Sequence, residues 1–172
     1  MNDLHLRVSP DPVLRDKTKP VTVFDESLKD LVADMVRVMD TEDGVGLAAP
    51  QVGVSLKLAV VFAEGVLHVL VNPCVLSTEG EQTGEEGCLS FPGIYGTVVR
   101  PEKITLTCRN TDGDEETLEA SGFLARALLH EIDHLNGKLL IDHFSPLKRS
   151  MVRKKLLRTG SETTEKGSGK RR

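Results

Sequence analysis

The stretch from Phe123 to Leu135 constrains this 172-residue chain more than any other. Phe123, Leu124, Ala127, Leu128, Leu129, Ile132 and Leu135 recur at three- and four-residue spacing, which predicts a helix from about Ser121 to Leu135, ended by Asn136-Gly137. So many apolar positions commit that helix to burial. Yet it carries His130-Glu131-Ile132-Asp133-His134. Two ionisable rings in apolar surroundings need a partner to offset their desolvation. Residues four apart share one helical face, so both imidazoles can reach one cation, with Glu131 projecting beside it. That is the pattern of a hydrolytic metal site.

The rest of the chain predicts what surrounds the helix. Leu28, Leu31, Val32, Met35, Val36 and Met39 form one apolar stripe on a helix from Asp25 to Met39, with Asp25 as N-cap. Positions 44 to 53 hold three glycines and Pro50, which predicts a loop. Leu56 to Phe62 and Val66 to Val71 read as a strand and its return, closed by Asn72-Pro73. Ile104, Leu106 and Cys108 alternate with polar residues before an Asp112-Gly113 turn and a second strand through Leu118, an antiparallel hairpin. The expected class is α+β, with antiparallel β-sheets packed around the buried helix and a further, C-terminal helix. One catalytic domain over residues 1–158 accounts for these elements. Residues 159–172, mostly Gly, Ser, Thr and charge, are expected to form a disordered basic tail.

Two histidines do not hold a metal alone, and the third ligand decides the enzyme class. A third histidine six residues after His134 would make a metalloprotease, but Leu140 stands there. A downstream glutamate fares no better, because Glu162 and Glu165 are the only ones and both lie in the tail. Asp142, His143 or an upstream residue remain. Of the upstream residues Cys88 stands out, in the glycine-punctuated stretch Glu86-Gly87-Cys88-Leu89-Ser90, whereas Cys74 and Cys108 read as small buried hydrophobes on or beside strands. Asp142 or His143 closing a four-ligand site would make a structural metal module instead.

Three motifs now stand in order: Gly44-Val45-Gly46-Leu47-Ala48-Ala49-Pro50-Gln51, Glu86-Gly87-Cys88-Leu89-Ser90 and His130-Glu131-Ile132-Asp133-His134. Together with Pro10-Asp11-Pro12-Val13-Leu14-Arg15 they closely resemble the bacterial-type peptide deformylases over residues 1–158. The resemblance implies a hydrolase of protein biosynthesis that takes the formyl group from the N-terminal formylmethionine of nascent peptides and releases formate. It implies Cys88, His130 and His134 as metal ligands, Glu131 as the acid/base, and Gln51 with the Leu89 backbone N–H as donors to the formyl oxygen. Fe²⁺ is the implied ion, with Zn²⁺, Ni²⁺ or Co²⁺ able to replace it. Gly44, Val45 and Gly46 are expected to pair with the peptide backbone and line its path. Val45, Phe123 and Ala127 are the candidates for the methionine pocket. By the same resemblance Arg100 pairs with Glu86. The chain departs from part of the family before Glu86, where Gln82-Thr83-Gly84-Glu85 offers no apolar side chain to the pocket, and Arg126 lies near the same helical face.

Net charge is −4, which excludes a strongly basic nucleic-acid binder, but residues 145–172 hold ten Lys/Arg and two Glu, a net of +8 against −12 in the remainder. A basic amphipathic helix with Leu147, Met151, Leu156 and Leu157 is expected over 147–157. In relatives such a helix meets the ribosome, so ribosomal RNA is the implied polyanion. No apolar run approaches the ~18 residues of a membrane helix, no leader segment is visible, and three scattered cysteines do not make a disulfide framework. A soluble, cytoplasmic monomer is expected.

Overall fold

Two antiparallel sheets and three helices make up the computed structural model, which describes the backbone of residues 3–167 and the side chains of residues 3–158. Strands β1 (Gly46–Ala48), β2 (Leu58–Ala63), β3 (Val66–Glu79), β6 (Lys103–Arg109) and β7 (Glu115–Ser121) form one sheet in the order β1-β2-β3-β6-β7; β4 (Gln82–Cys88) and β5 (Phe91–Arg100) form the other. The helices are α1 (Glu26–Thr41), α2 (Gly122–Leu135) and α3 (Pro146–Gly167).

Side-chain alternation on β2 explains how the larger sheet is buried on both faces. Ala59, Val61 and Ala63 point into a core with Leu106, Leu124, Ala125 and Leu128, between the sheet and α2. Leu58 and Val60 point the other way, to Val32, Met35 and Met39 of α1. The apolar stripe expected on α1 is therefore the buried one, and the Asp25 carboxylate accepts the Ser27 N–H at 3.0 Å as its N-cap. A third core joins β5 to the C-terminal part, with Phe91, Val98, Phe144 and Val152 all buried.

The structure corrects several sequence expectations. The segment predicted as loop contains β1, whose Gly46 pairs with Val61, followed by a 3-10 turn over Ala49–Val52. Glycine and proline obscured it, but an edge strand needs partners on one side only, and Leu47 and Ala48 are fully buried on opposite faces. Asn72-Pro73 does not close β3. It sits at a register shift where Asn72 adopts φ 51° and its amide exchanges hydrogen bonds with Val21 N–H and C=O. That bulge resets the alternation, so Cys74 is exposed rather than buried, while Cys108 is buried as expected. The glycine-rich segment around Cys88 is the end of a strand. Its partner β5 carries the apolar alternation, with Ile94 and Val98 buried, that β4 itself lacks.

Helix α3 also differs from expectation. Val152 is buried and Leu156 partly so, an i, i+4 pair facing the third core, whereas Leu147, Met151 and Leu157 are exposed. The backbone of α3 continues beyond Leu157 to Gly167, into the segment whose composition predicts disorder. Residues 168–172, the end of that expected tail, lie outside the described residues.

Candidate metal centre and active site

Helix α2 crosses behind β1 and β2 and brings its two histidines to the end of β4. The ligand atoms of Cys88, His130 and His134 lie within 4.8 Å of one another, and Cys88 Sγ is 3.3 Å from His134 Nε2. His130 Nδ1 is held by Glu86 Oε1 at 3.0 Å, which leaves Nε2 as the nitrogen for the cluster. Among the described residues no fourth side chain joins this cluster. Asp142 is engaged by Arg15 and the Leu139 N–H, and His143 Nε2 bonds Asp133 Oδ2 at 2.8 Å, so neither closes the site.

Charge at the cluster fits a cation. Burial, together with the positive charges of His130 and Arg100, pushes the His134 imidazole well below its ordinary 6.5, so it presents a neutral ring. Burial alone would lower His130 as well, but hydrogen bonds to Cys88 and Glu86 raise it well above 6.5. Positive charge is thus favoured where Cys88 meets that ring, and a divalent metal bound there would supply it in place of the proton. One sulfur and two imidazoles form a donor set suited to zinc, iron(II), cobalt and nickel.

A buried ionic network fixes His130. Glu86 Oε1 also accepts Arg100 Nη2 at 2.8 Å, and Oε2 accepts Arg100 Nε at 2.9 Å together with Arg126 Nη1. Arg100 then reaches Asp133 at 2.7 Å. Burial works to raise the Glu86 carboxyl, but the hydrogen bonds from Arg100 and His130 prevail and hold it well below the usual carboxylate range. The expected Arg100–Glu86 pair is therefore present, and Arg126 joins it. Glu86 and Asp133 offset the two arginines, and such pairing is the condition under which buried charge is tolerated.

Glu131 is 4% exposed, and burial pushes its carboxyl up to about 7; a cation alongside would bring it down. Among the described residues its Oε2 has no hydrogen-bond partner, which makes it a buried acceptor. Close by, Gly46 leaves the carboxylate its space, since a Cβ there would lie 2.5 Å from Oε1. The Gln51 amide has one orientation that satisfies its neighbours. Its oxygen takes the Ala48 N–H at 2.9 Å, so its NH₂ must face Ser90 Oγ at 3.1 Å and Cys88 Sγ at 3.7 Å.

Cys88, His130, Glu131 and Gln51 line one cleft of about 830 Å³, which also receives Gly44, Val45, Gly46, Leu89, Phe123 and Ala127. Of the site residues expected from the sequence, His134 alone is not on its wall; it is buried and meets the cluster from beneath the other ligands. Phe123 is 56% exposed at the rim rather than part of the core. Sequence reasoning missed Tyr95, which covers Gly87 at the cleft mouth, and the link from His143 through Asp133 to Arg100. The Asp133 position, on the same helix one residue before His134, was the available signal for that link.

A family profile described as Polypeptide deformylase matches residues 4–150. A peptide deformylase of Thermotoga maritima is 46% identical over 153 residues, covering 88% of this chain and 93% of that protein. One from Brucella suis is 44% identical over 167 residues, covering 94% and 95%. A crystal structure of a peptide deformylase from Legionella pneumophila superposes with a TM-score of 0.88 at 48% identity, over 94% of this chain and 97% of that one. A family match across most of the chain, carried by a fold that gathers Cys88, His130 and His134 into one cluster, means that this protein belongs to the peptide deformylase family.

Proposed function

We infer that the chain is a metal-dependent amide hydrolase that removes the formyl group from the N-terminal formylmethionine of nascent peptides, with Cys88, His130 and His134 as ligands and Glu131 as acid/base. The observation that carries this reading is the convergence of one sulfur and two imidazole nitrogens beside a buried carboxylate whose Oε2 has no partner among the described residues.

A divalent cation held by Cys88, His130 and His134 would supply Lewis acidity and would lower the pKa of water at the site to about 7. The residues do the rest. Glu131 accepts a proton from the attacking water and delivers it to the departing amine nitrogen as the C–N bond breaks, leaving formate and a free amino terminus. Negative charge gathers on the formyl oxygen, where the Gln51 NH₂ and the Leu89 N–H donate; one such donor is worth about 3 kcal/mol in the transition state. Strand β1 is an edge of its sheet among the described residues, so Gly46, with Gly44 and Val45 leading into the strand, meets the extended peptide as an added strand. Val45, Phe123 and Ala127 receive the methionine side chain.

The resident ion is Fe²⁺, with Zn²⁺, Ni²⁺ or Co²⁺ as functional substitutes, and the catalytic unit, residues 1–158, works as a cytoplasmic monomer. No helix among the described residues is long and apolar enough to cross a membrane. The exposed basic residues of α3, Arg153 and Lys154 among them, dock on ribosomal RNA phosphate. Because Val152 belongs to the core, charge reversal tests this better than truncation. Arg153→Glu with Lys154→Glu weakens salt-dependent ribosome binding and spares hydrolysis of a short formyl peptide; unchanged ribosome affinity rejects the contact. Anaerobic purification with metal analysis, followed by formate release from formyl-Met-Ala-Ser, tests the activity and the ion together.

A further inference from the structure

Backbone from the start of the chain holds the side chain of Gln51. The Arg7 N–H donates to the Gln51 carbonyl at 2.7 Å and the Ser9 N–H to the Ser90 carbonyl at 2.9 Å, so one short stretch straps the turn carrying Gln51 to the turn after Cys88. Between those two bonds the Arg7 carbonyl accepts the Ser90 hydroxyl at 2.7 Å, across 83 residues of sequence. The Ser90 oxygen in turn accepts the Gln51 NH₂ at 3.1 Å, with Ser90 fully buried and Gln51 nearly so. Leu6 and Val8, on either side of Arg7, line the cleft. The polarity of this chain of bonds is forced at both ends. The Ala48 N–H can only donate, so Gln51 Oε1 faces it and the NH₂ faces Ser90. The Arg7 carbonyl can only accept, so the single hydroxyl proton of Ser90 goes there and its lone pair is left for Gln51. Ser90 thereby takes one of the two amide protons and leaves the other for the cleft, where Cys88 Sγ lies 3.7 Å from the nitrogen.

We propose that Ser90, braced by the Arg7 carbonyl, is a positioning residue for Gln51 and fixes where its remaining amide proton meets the formyl oxygen. The proposal rests on the reading of Gln51 as a donor to that oxygen. Such a donor acts in the transition state by being in place beforehand, and an amide with one anchor in place of two loses part of that advantage. The N-terminal segment is on this account a part of the active site rather than a covering of the core.

The test is formate release from formyl-Met-Ala-Ser by wild type, Ser90→Ala, Gln51→Ala and the Ser90→Ala/Gln51→Ala double variant, each with its metal content. Ser90→Ala lowers kcat about tenfold, the scale of one neutral hydrogen bond, while KM and bound metal stay near wild type. In the Gln51→Ala background the same substitution has no further effect on kcat, because the group that Ser90 positions is gone. An equal loss in both backgrounds, an unchanged kcat or lost metal in Ser90→Ala overturns the proposal. Should Ser90→Ala fail to accumulate, Arg7→Pro and Arg7→Ala take its place: both lose the guanidinium, and only proline also loses the N–H that seats the Arg7 peptide on Gln51. The kcat of Arg7→Pro then falls below that of Arg7→Ala when Gln51 is present and matches it when residue 51 is alanine; equal values in the presence of Gln51 overturn the proposal. A Gln51→Ala variant that turns over like wild type overturns the donor role on which the proposal rests, and wild type that releases no formate overturns the activity itself.

Discussion

Gly46→Ala isolates the position of the Glu131 carboxylate from its chemistry. The added methyl would lie 2.5 Å from Oε1 and 2.9 Å from both Cδ and Cγ, closer than real Cβ atoms come to other atoms. Gly46 is fixed by its pairing with Val61 in β1, and Glu131 is buried on α2, so the carboxylate is what yields. Restoring ordinary contact displaces it by roughly 1 Å, and a misplacement of that size at a reacting group costs on the order of 10²-fold in rate. Formate release from formyl-Met-Ala-Ser should therefore show kcat lowered about 100-fold. Cys88, His130 and His134 are untouched, so bound metal per protein should match wild type. A kcat within about threefold of wild type would refute the reasoning, because the carboxylate could then move without consequence; a lost metal would mean that the substitution damaged the ligand cluster instead.

Glu131→Ala removes the proton carrier and should lower kcat by about 10²- to 10⁴-fold with metal retained, checked by turnover and metal analysis side by side. Gln51→Ala should cost about 10²- to 10³-fold in kcat, with KM for the formyl peptide changing far less. Arg15→Ala breaks the fork onto Asp142, whose partners are 49% and 25% exposed, so urea unfolding at pH 7 should show a loss of no more than about 1 kcal/mol. Burial raises the Asp142 carboxyl, but the hydrogen bonds from Arg15 and the Leu139 N–H, with the charges of Arg15 and Arg149, together outweigh it and hold it below its ordinary 3.8. Its contribution is therefore present above pH 3.8 and fades as pH falls below that value, so wild-type and Arg15→Ala stabilities should converge in acid. A stability gap that persists at lower pH would rule out that pair as its source.

Local spacing carries most of the architecture. Period 3.6 on α1 and α2, and period 2 around Ile104 and Leu106, each reflect burial of one face, which is why the order of residues alone reveals these elements. The elements that spacing fails to reveal share a cause. At β1 and β4 glycine replaces side chains where another group needs the room: Glu131 beside Gly46, Arg126 beside Gly84. The pattern that marks a strand is missing there for reasons of function rather than local conformation. The buried face of α3 is hidden for a different reason: helical spacing defines two possible stripes, and only the position of Phe144 and β5 selects the one holding Val152.

The helix, its two histidines and the carboxylate between them follow from residues within five positions of one another, and a helix alone aligns them. Cys88 lies 46 residues away from His134, so no local rule brings its sulfur within 3.3 Å of that ring. The packing of α2 against the larger sheet does so. The role of Arg126 is likewise tertiary. A lone arginine on an apolar helix reads as an anomaly until β4 presents Glu86 as its counter-charge and Gly84 as the space it fills, because the burial of a charge is decided by partners from other elements and not by neighbours in the chain.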